Sequence, residues 1–164
     1  MTLVSTFSLR AQAVQEIKVG HIFYATIPDY MSRTVGINSA AALQFKNTVK
    51  DIAGFIIEDN KSELKLADLN YASLDEFYEA FIKDFLADQE KRKISKAESK
   101  TIGDRKFIWC DASYYDKDAK MDIYYFVGIV ETKDAYYKVL CYGGMDSKVK
   151  YRSDFEAILF SVKD

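Results

Sequence analysis

The stretch MDIYYFVGIVE, Met121 to Glu131, constrains the fold more than any other part of this chain. It is apolar almost without interruption and rich in β-branched and aromatic residues, which suit a pleated strand better than a helix. A strand with one wetted face alternates apolar and polar residues. This one does not, so it reads as a central strand buried on both faces. Such a strand needs a neighbour on each side and a layer over each face. A length of 164 residues fits one domain, and 49% hydrophobic against 29% charged residues is enough apolar material for a core.

The neighbours are legible on either side. Gly103–Asp104 lies between two extended runs and is a two-residue hairpin signal, because glycine accepts positive φ at little cost. Strands are therefore predicted from about Ile94 to Ile102 and from about Arg105 to Tyr115. DKDAK is a loop, and TKD turns into the strand AYYKVLCYGG. These four strands form an antiparallel meander. Upstream, HIFYATIP, AALQFKN and DIAGFIIED read as three more strands, the first ended by Pro28, which cannot donate to a ladder. NKSELKLADLNYA reads as a loop. SLDEFYEAFIKDFLADQEKR is a helix, opened by the capping-box pair Ser73 and Glu76 and striped by Leu74, Phe77, Tyr78, Phe81, Ile82 and Phe85. VKYRSDFEAILFSVK repeats that spacing with Ser153 and Glu156. The order β-β-β-α-β-β-β-β-α predicts an α+β fold, an antiparallel sheet with two helices burying their stripes on it.

This arrangement decides the state of the two cysteines. With a turn at Thr132–Lys133, Cys141 faces about Tyr124, and with a tight loop around Asp118, Cys110 faces about Phe126. They then flank a shared strand about 9.6 Å apart, beyond the limit of about 7 Å for a disulfide. Two free, buried cysteines are expected.

Little in the chain points to catalysis. His21 is the single histidine, so zinc sites and Ser-His-Asp or Cys-His machinery lack material. Gly143–Gly144 is an isolated turn and not a phosphate loop. A net charge of −2 gives no footprint for nucleic acid. No stretch is long and apolar enough for a transmembrane segment. Asp111, Asp116 and Asp122 could serve a small metal-dependent enzyme, but their spacing matches no EF-hand, and a solvated hairpin tip is the simpler reading. The lysines from Lys91 to Lys100 read as a guarded sheet edge, with a patch for an acidic partner as the sharper alternative. The remaining candidates are aromatic. Tyr24, Trp109, Tyr115, Tyr124 and Tyr142 are candidate ligand-binding residues, on a sheet face or groove that would take a protein or an apolar ligand. No cofactor and no metal are implied.

The front end, residues 1–19, has two readings. Leu3, Val4, Phe7 and Leu9 are apolar, and Ala11-Gln12-Ala13 fits the small-x-small pattern of signal-peptidase cleavage. Arg10 interrupts the run and no basic residue precedes it, so it reads as the tail of a signal peptide. The other reading is an amphipathic arm packed on the domain. The first places the protein in the periplasm or outside the cell, the second leaves it cytoplasmic.

The pieces FYATIPDYMSRT, AALQFKN, GFIIEDN before SLDEFYEAF, IGDRKFIWCDASYY, IYYFVGIVETKDAYYKVLCY and SDFEAILFSVK together resemble the PsbP-like superfamily over residues 20–164. That superfamily includes the photosystem subunit P fold, the Ran-binding Mog proteins and the bacterial DcrB-like proteins. The resemblance implies an antiparallel sheet carrying helices and a non-enzymatic role. It transfers no site, since its members bind different things: a membrane complex, a small GTPase or, in some bacterial chaperones, apolar effector helices.

Overall fold

Met121–Glu131 lies inside an antiparallel sheet and enters a hydrophobic core on each of its faces. The computed structural model describes residues 14–19 and 23–164. In these the elements are β1 (Val14–Val19), β2 (Phe23–Pro28), β3 (Ser32–Arg33), β4 (Leu43–Asn47), β5 (Ile52–Asn60), α1 (Lys61–Leu66) and α2 (Leu74–Asp84). They continue as β6 (Glu90–Ile94), β7 (Glu98–Ile102), β8 (Arg105–Asp116), β9 (Met121–Glu131), β10 (Ala135–Gly144) and α3 (Ser147–Ser161). The main sheet has the order β3-β4-β5-β10-β9-β8-β6, and β7 also pairs with β8. The α+β fold and the meander are as the sequence predicts.

Side chains of β9 alternate between two covers. Tyr124, Phe126 and Val130 pack with Phe155, Ile158 and Leu159 of α3 and with Phe23 and Ile27 of β2. Val127 and Ile129 pack with Phe77, Tyr78 and Ile82 of α2. The β1–β2 hairpin is a separate two-stranded sheet on the α3 face. It is held there by Phe23, whose ring lies 4.7 Å from that of Tyr137, and by backbone bonds of 2.7 and 3.1 Å exchanged between Tyr24 and Lys163. Residues Val14–Val19, read from the sequence as part of the front segment, thus pair with β2. The pattern at Ala11–Ala13 and His21 lie outside the described residues.

Several boundaries differ from the sequence reading, each for a local reason. The predicted strand from Ile94 to Ile102 is shortened to β7, Glu98–Ile102, and Ile94 ends a separate strand, β6, that begins at Glu90 in the tail read as helix, because Ser95 turns in to bond Asp111. Its N–H donates to the Asp111 carbonyl at 2.8 Å, and its hydroxyl accepts the Asp111 N–H at 2.9 Å. The segment read as a loop contains α1, capped by Asn60, whose side chain accepts the Ser62 N–H at 2.9 Å. α2 ends at Asp84 rather than running on, since Leu86 adopts a left-handed φ of 58°. At its start the Ser73 hydroxyl accepts the Glu76 N–H at 3.2 Å, while the Glu76 carboxylate takes the N–H of Ala72, one residue beyond the expected box. α3 begins at Ser147, so Ser153 lies in its interior and is not its cap. The turn before β10 is Lys133–Asp134, one residue later than expected, which pairs Cys141 with Phe126. Cys110 and Cys141 still flank β9, enter opposite cores, and are free and buried.

Two arginines fasten the helix ends. Orphan carbonyls in the last turn of a helix need donors. Arg92 of β6 donates to the carbonyls of Ile82 and Phe85. Arg105 of β8 donates to those of Phe160 at 3.0 Å and Val162 at 2.7 Å. The seat of α3 also depends on Gly128, where a Cβ would stand 2.7 Å from Leu159 Cδ2. Gly128→Ala is therefore expected to destabilise the fold by about 1–3 kcal/mol through overpacking, measured as a lower urea midpoint.

Candidate functional site

The α2 face is only partly covered, and beyond α2 a row of rings runs from buried Phe55 to three half-buried tyrosines. Tyr142 of β10 stands directly opposite Tyr125 of β9, and the two rings stack at 5.0 Å with an interplanar angle of 26°. Tyr114 of β8 extends the row at 6.4 Å from Tyr125, and Phe55 of β5 extends it at 6.5 Å from Tyr142. Four strands thus contribute one ring each to a diagonal aromatic ladder, a geometry that follows from the register, since opposite and diagonal neighbours are in reach of large side chains. Phe85, just past α2 and fixed by Arg92, closes the upper side with its ring 5.4 Å from Tyr125.

Below Tyr142 the row opens into a cleft of about 330 Å³ bordered by Ile37, Lys46, Asp51 and Ala53. Ile37 is held at its rim by Gln44, whose side-chain oxygen accepts the N–H groups of Ile37 at 2.7 Å and Asn38 at 3.0 Å. The three tyrosines are half-buried, and burial pushes each hydroxyl above its ordinary pKa. The strip therefore presents uncharged aromatic surface at physiological pH, suited to an apolar group.

The five aromatic residues singled out from sequence do not converge. Only Tyr142 lies on this strip. Tyr124 and Trp109 belong to the core on the α3 face, where Tyr124 is 1% exposed and the Trp109 ring meets Phe160 edge-on at 5.2 Å. Tyr115 lies at the far end of β8 with the Lys91 ammonium 4.4 Å above its ring. Tyr24 lies on β2 beside Lys163. Tyr114 and Tyr125 are the sequence neighbours of Tyr115 and Tyr124; consecutive tyrosines in a strand face opposite ways, and it is Tyr114 and Tyr125 of these pairs that stand on the strip.

The three aspartates also part company. Asp116 accepts the N–H groups of Asp118 and Ala119 and so shapes the β8–β9 turn. Asp122 lies across from Tyr115 near the hairpin tip. Asp111 is on the α3 face, in an ion network with α3. It accepts from the Tyr124 hydroxyl at 2.8 Å and from Arg152 Nε at 3.1 Å, and lies 3.1 Å from Lys148 Nζ. Arg152 also reaches Glu98 at 2.7 Å and Glu156 at 3.2 Å. Among the described residues no group of three His, Cys, Asp or Glu side chains is placed to hold a metal ion.

No protein-family model matches the chain, and no curated protein matches its sequence. Its structure is similar to the solution structure of cyanobacterial PsbP, CyanoP, from Synechocystis sp. PCC 6803, with a TM-score of 0.64, 12% identity, and 98% of each chain covered. It is also similar to LpqN of Mycobacterium tuberculosis, a protein involved in cell envelope biogenesis, with a TM-score of 0.56, 13% identity, and 92% of this chain and 90% of that one covered. PA94 of Pseudomonas aeruginosa, a protein of unknown function, matches with a TM-score of 0.52 and 11% identity over 87% of this chain and 91% of that one. The chain has the PsbP-like fold that the sequence resemblance implies.

The Asp111 network has a measurable signature. Burial alone would raise the pKa of Asp111, but the Tyr124 hydroxyl, Lys148 and Arg152 outweigh it and hold the carboxyl below its ordinary value. A carboxyl with a depressed folded pKa stabilises the fold fully above its unfolded pKa of about 3.9 and loses that contribution as pH falls through the folded value. Asp111→Asn should cost about 1–3 kcal/mol at neutral pH. The gap between the two proteins, read from urea melts, should close as pH falls below about 4.

Proposed function

We propose that the chain is an exported, non-catalytic accessory protein that engages a protein partner through the Tyr114–Tyr125–Tyr142 strip, taking an apolar side chain of that partner into the cleft beside Ile37. The observation that carries this reading is the stacked row of neutral rings left uncovered beyond α2. Stacked, pre-positioned rings lose little conformational freedom on contact, which is why tyrosines serve well as binding anchors. The dispersal of Asp111, Asp116 and Asp122 to separate structural tasks supports a role without catalysis. Export is supported by the small-x-small pattern before Val14 and by the likeness to LpqN, a protein involved in cell envelope biogenesis.

Two measurements test the reading. A photo-crosslinking amino acid in place of Tyr142 should give one discrete protein adduct in native cells. The same probe at Val149, 91% exposed on α3, should give none. Tyr125→Ala should remove the adduct while leaving the fold intact. Equal adducts at both positions, or survival of the adduct in Tyr125→Ala, would refute the strip as the site. For the address, mass spectrometry of the native protein should find Val14 as the mature first residue, and retention of Leu3–Ala13 would refute export by cleavage.

A further inference from the structure

The outer edge of the sheet at β6 and β7 has a chemistry of its own. Lys91, Lys93, Lys96 and Lys100 are all exposed along it. The two acidic residues of these strands are already engaged: Glu90 Oε1 lies 2.8 Å from Lys117 Nζ, and Glu98 Oε1 lies 2.7 Å from Arg152 Nη2. Among the described residues none of the four lysines makes an ion pair. Two are instead laid over rings, Lys91 at 4.4 Å from the centre of Tyr115 and Lys100 at 5.3 Å from that of Phe160. The edge is left with uncompensated positive charge, part of it held in place.

Its main chain is free as well. β7 leaves the Gly103–Asp104 turn at the pair Ile102 and Arg105. In a two-residue hairpin that pair exchanges hydrogen bonds, and the exchange then recurs at every second residue. Lys100 and Glu98 therefore bond β8, while the N–H and C=O groups of Ser99 and Thr101 point away from it. Among the described residues no strand pairs with that side.

Lysines on an edge keep copies of the same chain apart, because a second copy would set lysine against lysine. The same charge favours a strand of opposite sign. We infer that β7 is a docking edge for an extended acidic segment of a partner protein. That segment adds as a further strand, with its main chain on Ser99 and Thr101 and its carboxylates among Lys93, Lys96 and Lys100. This is addition of a strand at an open edge, where main-chain bonds give affinity and side chains give selectivity. The inference does not rest on the tyrosine strip, and Tyr125→Ala leaves it unchanged.

The test uses the intact protein and a short blocked peptide of alternating Glu and Val, with the Lys-for-Glu peptide as control. The acidic peptide should slow amide exchange of Ser99 and Thr101, and its affinity should fall as salt rises. Lys96→Glu with Lys100→Glu should weaken it by about tenfold. Thr101→Pro removes an outward N–H without touching the bonds to β8 and should abolish the protection at Ser99. The amide spectrum of each variant verifies that it is folded. Equal binding of the Lys peptide overturns the inference. So does acidic-peptide binding that leaves Ser99 and Thr101 unprotected, which would be charge attraction alone, and so does absence of binding at millimolar peptide.

Discussion

The constraint on which the rest depends is the burial of β9 on both faces. A strand with no polar face cannot sit over water, so the chain must build two covers, and the covers are unequal. α3 and the β1–β2 hairpin close one face. The other is covered chiefly by α2, with Ile37, Ala41, Leu64 and Tyr71 packing around it, and the 11 residues of α2 span about 16 Å at 1.5 Å per residue. β9, with 11 residues at about 3.3 Å each, spans about 36 Å. α2 alone cannot cover the length of β9, and the half-buried tyrosines of the ladder lie beyond its end, next to Phe85.

The two covers are also held differently. α3 is bound by polar contacts from distant parts of the chain, Arg105 at its C-terminal carbonyls and the Asp111 cluster at Arg152 and Lys148. α2 is bound at its end by Arg92, which follows it closely in sequence. One cover is thus fastened by polar contacts distant in sequence and the other by one close in sequence, with Phe77 of α2 stacked on Tyr136 of β10 at 4.1 Å.

The central strand, the Gly103–Asp104 hairpin and the start of α2 were legible because each rests on residues adjacent in sequence. The site was less legible. The parity rule separates Tyr124 from Tyr125, but which of the two meets solvent depends on the length of α2 and on where Leu86 ends it. Placing the β9–β10 turn one residue early moves the partner of Tyr125 from Tyr142 to Leu140, and the ladder disappears from view. α1 and the early start of α3 escaped because their apolar contributions are small and no side-chain cap announces the start of α3. The break between β6 and β7 depends on Ser95 meeting Asp111, a contact between residues far apart in the chain.

The two ends of the sheet are not equivalent. At the β4 end, Arg33 and Ser32 pair with Phe45 and Lys46, and the Thr34 N–H takes the carbonyl of Gln44, so the outer row is already occupied by a stub two residues long. Among the described residues no strand pairs with the outer side of Ser99 and Thr101 at the other end. An edge two residues long offers little main chain to a second copy, whereas β6 and β7 offer a long one. Head-to-tail growth into a filament requires two complementary edges per molecule. The asymmetry therefore leaves the main sheet with one long unpaired edge among the described residues, at β6 and β7, and a short, already paired one at β4.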